Sequence, residues 1–269
     1  MTPRAEASGS GEPTEMQENV KMKATAAPPE PIGSPIAAYD ATQAVIQKLA
    51  AKKILDCPAG KGAFAWRLLQ SGYEVYCADI EPEQFELQIP CAFADLNDSL
   101  PFKDGEFDVV TCQNGLHRVW ARGRAVRELS RVTRAGGYVV FTFANYANLW
   151  RRLVYLLSGS VAHDINGPPH NFYPDAANPA AYYRYPMTVA QLVSAMHSVG
   201  LELQEIMALR WHLKSMLFAP LAIFPMTFNL ARPAEYTAHA FLKESNSPAA
   251  LFGDFLIVCA RKTAARSSA

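Results

Sequence analysis

The chain has no surplus of either charge: 25 lysines and arginines stand against 25 aspartates and glutamates. A balanced surface offers no general electrostatic grip on a phosphate backbone, so a nucleic-acid partner is not expected. Cysteine is scarce. The five (Cys57, Cys77, Cys91, Cys112 and Cys259) form no CxxC pair. An odd number without metal-ligand spacing excludes a disulfide framework and a zinc knuckle, and no metal is expected. Most of these cysteines lie in apolar runs and read as small buried hydrophobes, and reduced thiols imply a cytoplasmic compartment. No apolar segment follows Met1, so a secretory signal is not expected. The strongest apolar run, SMLFAPLAIFPMTFNL at 215–230, is broken by Pro220 and Pro225 and is too short to span a bilayer. There is also no GxxxxGK[ST] phosphate loop, no internal repeat and no heptad pattern.

What is present is a globular composition, half hydrophobic, in 269 residues, which suffices for one large domain. Residues 1–35 are rich in Pro, Ala, Ser, Gly and Glu and read as a disordered tail ahead of a domain at 36–269. A leading helix is predicted over 36–51. From Lys53 onward, short apolar runs alternate with amphipathic stretches: strands are predicted at 53–56, 73–80, 91–96, 106–113 and 137–145. Helices follow the first of these, ending at Gly72, and the fourth, at 121–134, closed by Ala135-Gly136-Gly137. Nearly continuous apolar strands alternating with helices argue for a parallel sheet covered on both faces. Beyond Asn145 the pattern loosens. Helices are predicted at 146–158 and 188–199, and antiparallel strands at 201–210 and 253–262. The stretch 163–186, rich in Pro, Asn and Tyr, has no periodicity.

The segment Ile54-Leu55-Asp56-Cys57-Pro58-Ala59-Gly60-Lys61-Gly62 carries the chemistry. A strand ends in an acid, a turn with two glycines follows, and a helix begins, leaving helix N–H groups facing whatever sits there. Asp79 closes the second strand, where an acid of a doubly wound sheet can receive both hydroxyls of a ribose. Asp95 ends the third. Three acids at three strand ends suit a nucleoside that carries positive charge. Gly60-Lys61-Gly62-Ala63-Phe64-Ala65 also reads as GxGxxA, the dinucleotide fingerprint, which keeps an NAD-dependent oxidoreductase as an alternative. Against it, Asp56 stands four residues before Gly60, where an anionic side chain would repel a pyrophosphate and attract an ammonium or sulfonium.

These residues resemble the class I (Rossmann-like) S-adenosylmethionine-dependent methyltransferases, in the branch acting on small molecules. The resemblance runs through ILDCPAGKG, Asp79-Ile80, Ala94-Asp95-Leu96, then PFKDGEFDVVTCQNGLHRV and RAGGYVVFT, and covers roughly residues 45–145. It implies an α/β fold: a doubly wound, mostly parallel seven-stranded sheet with a reversed strand near one edge. A helical and loop cap is then expected at about 146–187 and 205–250. It also implies S-adenosyl-L-methionine as cofactor. Asp56, Pro58, Ala59, Gly60 and Gly62 would hold the methionine part, Asp79 with Ile80 the ribose, and Asp95 with Leu96 the adenine. Gln113, Asn114 and Gly115 would line the reactive end. Pro58 departs from the family, where many members have glycine, and supplies no N–H at its position.

Methyl transfer from a sulfonium needs alignment and exclusion of water, and a base only where the acceptor loses a proton. His117, just past the fourth strand, and His170, in the irregular stretch, are the candidates; a packing role for His117 is the alternative. The stretch 163–186 reads as an acceptor lid. Asn145 is either a rim residue or a cap. His197 and His212 read as structural, and the arginines around 121–134 as a solvated face. The run 215–230 reads as a buried cap over the substrate, or else as an apolar surface on lipid in a membrane-peripheral protein. The acceptor would be a small molecule, a glycan or a lipid-linked compound. A non-catalytic partner subunit that keeps the fold is the remaining alternative.

Overall fold

The computed structural model describes residues 27–32, 34–159, 186–228 and 241–263. Its centre is a seven-stranded sheet in the order β3-β2-β1-β4-β5-β7-β6. The strands are β1 (Lys53–Asp56), β2 (Glu74–Asp79), β3 (Cys91–Phe93), β4 (Phe107–Gln113), β5 (Thr133–Ala144), β6 (Leu201–Trp211) and β7 (Gly253–Lys262). The first five run parallel, and β7 lies antiparallel between β5 and β6. The expected doubly wound sheet with one reversed strand is therefore observed. Composition explains the positions: FLIVCA in β7 is buried on both faces, as an interior strand must be. LELQE in β6 alternates and is half exposed, as an edge allows.

Helices cover both faces. α1 (Ile36–Ile46) and α2 (Ala63–Gln70) bury Ile46, Phe64 and Leu68 against one side. α3 (Arg122–Val132) and, beyond α4 (Leu149–Ser158), α5 (Val189–His197) bury Val126, Leu129, Leu192 and Met196 against the other. α5 begins with a capping box, the Thr188 hydroxyl accepting from Gln191 N–H and the Gln191 side chain accepting from Thr188 N–H. The arginines around α3 are mostly tied down: Arg131 to Glu128 and Asp104, Arg124 to Asp98, and Arg134 to Asp108.

Several expected boundaries change. The leading helix stops at Ile46. Ala135-Gly136-Gly137 does not close α3; these residues belong to β5, which starts at Thr133 and bulges where Phe107 and Val109 pair with Thr133 and Tyr138. Gly137 is required there, because a Cβ would sit 2.7 Å from the carbonyl oxygen of Asp108. The strand predicted at 201–210 is observed as β6 and runs one residue further, to Trp211. The run 215–230 breaks into α6 (Leu213–Leu217), a 3₁₀ turn at Ala219–Ala222 and α7 (Ile223–Phe228). Most of its large side chains are exposed, so it is not the buried cap expected from its hydropathy. The stretch 163–185, with His170 and the tyrosines at 173, 182, 183 and 185, lies outside the described residues.

Asn145 caps the turn after β5, its Oδ1 accepting from Ala147 N–H at 3.0 Å, and it also clasps β7. It is buried, and its Nδ2 donates to the carbonyls of Ala250 and Gly253 at 2.7 and 2.9 Å, pinning the entry to β7 against the end of β5. Asn145→Ala strips the donor from the Ala250 carbonyl and leaves the Gly253 carbonyl only the longer bond from Asn148 Nδ2 at 3.5 Å, at a cost of about 1–3 kcal/mol. Urea denaturation should show that loss as a lower midpoint at an unchanged slope.

Candidate active site

The parallel strands β1, β2 and β4 end at one rim, and a cleft of about 500 Å³ opens there. That is where the crevice of an open α/β sheet is expected, and the volume suits a nucleoside-sized ligand. Asp56, Pro58, Ala59, Gly60, Asp79, Ile80, Asp95, Leu96, Gln113, Asn114, Gly115 and His117 all line it, so residues predicted from separate motifs converge. Gly62 does not line it. Its φ of +94° opens α2, and a Cβ would strike Phe85 and Leu87, so this glycine admits the β2–β3 link.

The loops around the cleft are stitched together. A Cβ on Gly115 would come within 2.5 Å of the Pro58 ring, so the loops after β1 and β4 touch only because Gly115 has none. Asp95 accepts from the backbone and side-chain N–H of Asn97, whose own oxygen accepts from the amides of Trp120 and Ala121. Asp79 is held at both oxygens: Oδ2 accepts from Gly60 N–H at 2.7 Å and Oδ1 from Glu81 N–H at 3.1 Å. Each carboxylate oxygen has a further lone pair, so this oriented acid can still accept from a vicinal diol.

Asp56 lies deepest. It is 1 % exposed, and its Oδ1 accepts from the Thr111 hydroxyl at 2.8 Å, while Oδ2 has no hydrogen-bond partner. Burial pushes its pKa up to about 7; the nearby Asp79 charge adds to the push, and the Thr111 hydroxyl and the Ala65 N–H oppose it. Gln113 presents the complementary group. Its Oε1 accepts from Thr142, and its buried Nε2 has no partner. A carboxylate oxygen and an amide N–H of the same cleft thus stand ready for a ligand with a cationic and an anionic end. The cleft is also acidic, with Asp56, Asp79, Glu81 and Asp95 against Lys61 and Arg118. Lys61 is turned to Glu86 at 2.8 Å.

His117 is buried in a 3₁₀ turn, Leu116–Arg118, and lines the same cleft. His197 instead faces Phe241, and His212 caps α6 by accepting from Ser215 N–H, as structural histidines do. Burial raises the thiol pKa of Cys57, Cys77 and Cys112, so none of the three is a thiolate at neutral pH. Sequence reasoning missed Ile32, Tyr39, Glu81, Gln84 and Trp120 as lining residues. Ile32 belongs to the expected tail, of which residues 27–32 and 34–35 are in fact placed, with Pro29 and Ser34 buried. The faint signal was Trp120 itself, an aromatic seven residues past a strand end at the site rim.

Residues 55–141 match a family model described as a methyltransferase domain. The demethylmenaquinone methyltransferase of Clavibacter sepedonicus is 34 % identical over 109 residues, covering 37 % of this chain and 44 % of that protein. The protein of the same name from Mycolicibacterium gilvum is 36 % identical over 104 residues, covering 37 % and 45 %. The chain thus spans under half the length of these relatives. A methyltransferase from Archaeoglobus fulgidus superposes with a TM-score of 0.54 at 13 % identity, covering 86 % of this chain and 95 % of that one. The [4+2]-cyclase SpnF superposes with a TM-score of 0.51 at 17 % identity, covering 84 % and 82 %. At such identities the likeness shows the fold alone, and the cyclase shows that the fold by itself does not name a reaction.

Asp56 also sets a pH signature. An unfolded aspartate titrates near 3.9, whereas folded Asp56 titrates at about 7, so the folded state holds the proton more tightly. Its contribution to stability is therefore lost as pH rises from about 4 through about 7. Ligand-free Asp56→Asn should melt above the wild type at pH 8, with the gap narrowing by pH 5; equal melting at pH 8 would refute the buried-acid account.

Proposed function

We propose that this chain, which belongs to the class I S-adenosylmethionine-dependent methyltransferases, moves a methyl group from S-adenosylmethionine to a small apolar, lipid-like acceptor, working as a membrane-peripheral enzyme. The observation that supports the cofactor half is the acidic cleft, in which a buried carboxylate oxygen of Asp56 and the Nε2 of Gln113 lack partners. That pair fits the zwitterionic end of the methionine part. The same acids disfavour the dinucleotide alternative, since four carboxylates around a pyrophosphate would repel it. A non-catalytic subunit has no reason to keep that set together.

When bound, S-adenosylmethionine supplies an electrophilic methyl on a sulfonium, and its departure needs no acid. The chain's residues do the rest. Asp56 and the Gly60 turn hold the methionine end, where the positive charge keeps Asp56 ionised. Asp79, oriented by two backbone amides, accepts the ribose hydroxyls. Ile80 would sit beside the ribose, and Asp95 with Leu96 would hold the adenine. Burial of the reactive end beside Asn114 and Gly115 excludes water that would otherwise compete for the methyl. Where the acceptor's attacking atom loses a proton, His117 is the group in the cleft that takes it.

The acceptor half is supported by the name shared by the two relatives, demethylmenaquinone methyltransferase. It is supported too by the apolar helices that follow β5 and β6 at the same rim. No helix among the described residues is long and apolar enough to cross a membrane, so such an acceptor would be reached from the surface.

Calorimetric titration with S-adenosylhomocysteine tests the cofactor. Wild type should bind, affinity should fall as pH drops below about 7, where Asp56 takes up its proton, and Asp56→Asn should bind weakly without that pH dependence. Asp79→Ala should lose at least about tenfold, the value of a lost charged hydrogen bond. Absence of binding by the wild type would end the proposal. For the acceptor, transfer of radiolabelled methyl to a prenylated quinol should exceed transfer to hydrophilic amines or sugars. His117→Ala should then lower kcat about 10²–10⁴-fold with the S-adenosylhomocysteine Kd unchanged; an unaltered kcat would return His117 to a packing role.

A further inference from the structure

The sheet topology brings three pieces to the cleft rim. β5 ends there at Ala144 and leads into α4; β6, parallel to β5 through β7, ends there at Trp211 and leads into α6 and α7. These helices bury little of their apolar surface. Leu156 is 78 % and Leu157 87 % exposed, with Leu213, Leu217, Ile223 and Phe224 between 60 and 72 %. The two segments are joined through Trp150, which stacks on Phe218 at 5.5 Å and donates its N–H to the Ser215 hydroxyl. Large apolar side chains left exposed on helices that pack together mark an interaction surface.

Charge indicates the occupant. Neither α4 nor residues 211–228 contain an aspartate or glutamate, while Arg151 and Lys214 stand among them. Arg151 lies over the Tyr146 ring at 5.2 Å and Lys214 over Trp150 at 5.3 Å, so cations and aromatic rings share these helices with the exposed leucines. Half-exposed Trp211 stands just ahead of α6. Apolar side chains flanked by tryptophan and by basic residues without acids are the composition of a face that lies in the headgroup region of an anionic bilayer. Arg152 braces this face. Its guanidinium donates to the carbonyls of Ala147 and Ser245 and to Asn246 Oδ1, tying α4 to the chain before β7.

We infer that the exposed face of α4, α6 and α7 docks on an anionic lipid surface, with Leu156, Leu157, Leu213, Leu217, Ile223 and Phe224 entering the headgroup boundary and Arg151 and Lys214 meeting lipid phosphates. The inference deepens the lipid-like acceptor reading, on which its purpose rests: docking would set the cleft rim against the membrane that holds the acceptor.

Co-sedimentation of the full chain with vesicles tests it. The wild type should pellet with phosphatidylglycerol-rich vesicles, several-fold less with pure phosphatidylcholine, and less at raised salt. Lys214→Gln should weaken the anionic binding about fivefold. Leu157→Glu with Phe224→Glu should abolish it, with circular dichroism, melting temperature and S-adenosylhomocysteine binding unchanged because both sites are exposed. Three results overturn the inference. The wild type does not pellet with anionic vesicles while still methylating a detergent-dispersed quinol, which leaves methyl transfer to a lipid-like acceptor standing and removes the membrane-peripheral part of the reading. The double variant breaks a dimer seen by gel filtration in a chain that ignores vesicles, which makes the face a contact between two copies. The double variant loses stability without any vesicle binding by the wild type, which means the chain covers the face itself.

Discussion

A carboxylate that cannot reach water dominates this structure. Asp56 ends β1 among apolar side chains, offers one oxygen to Thr111 and leaves the other unmatched. Holding an ionised acid in such surroundings is unfavourable, and a cation arriving beside it relieves the cost. The cleft's preference for a positively charged ligand therefore follows from where β1 ends. The surrounding loops take their positions from the same place. Pro58 packs against the bare backbone of Gly115, and the Gly60 amide holds Asp79.

Because these contacts join the loops after β1, β2, β3 and β4, the cofactor half of the site is built as one piece. Asp95, Asn97 and the amides at 120–121 extend the stitching to the far end of the cleft. Each link is a short hydrogen bond or a close approach that a larger side chain would prevent. Preorganisation of this kind lets one cleft keep its cofactor geometry while the acceptor side is built from separate material beyond β5.

The region proposed to meet the acceptor is held differently. Asn145 and Arg152 fasten α4 and the entry to β7 by donating to backbone carbonyls and to the Asn246 side chain, and among the described residues Arg152 has no carboxylate partner. Burial accordingly lowers the pKa of the Arg152 guanidinium. The helices so fastened turn their leucines and phenylalanines outward, in contrast to α3 and α5, whose apolar stripes are covered by the sheet.

Strand ends, turn glycines and the alternation of apolar runs were legible along the chain because each is a local pattern, and the acids at Asp56, Asp79 and Asp95 could be placed at one rim by counting strands. The interior place of β7 was legible too, in a strand apolar on both faces. Only the tertiary structure decided the rest. Ile32 and Tyr39 reach the cleft because α1 packs beside α2, a contact no periodicity encodes. Gly62 is a packing glycine because Phe85 and Leu87 cross it. Asn145 is a clasp because β7 happens to return beside β5. The run at 215–230 reads equally well as a core or as a surface, since hydropathy records the preference of a side chain and not the presence of anything to cover it; its exposure was settled by how many neighbours the fold could bring to that rim.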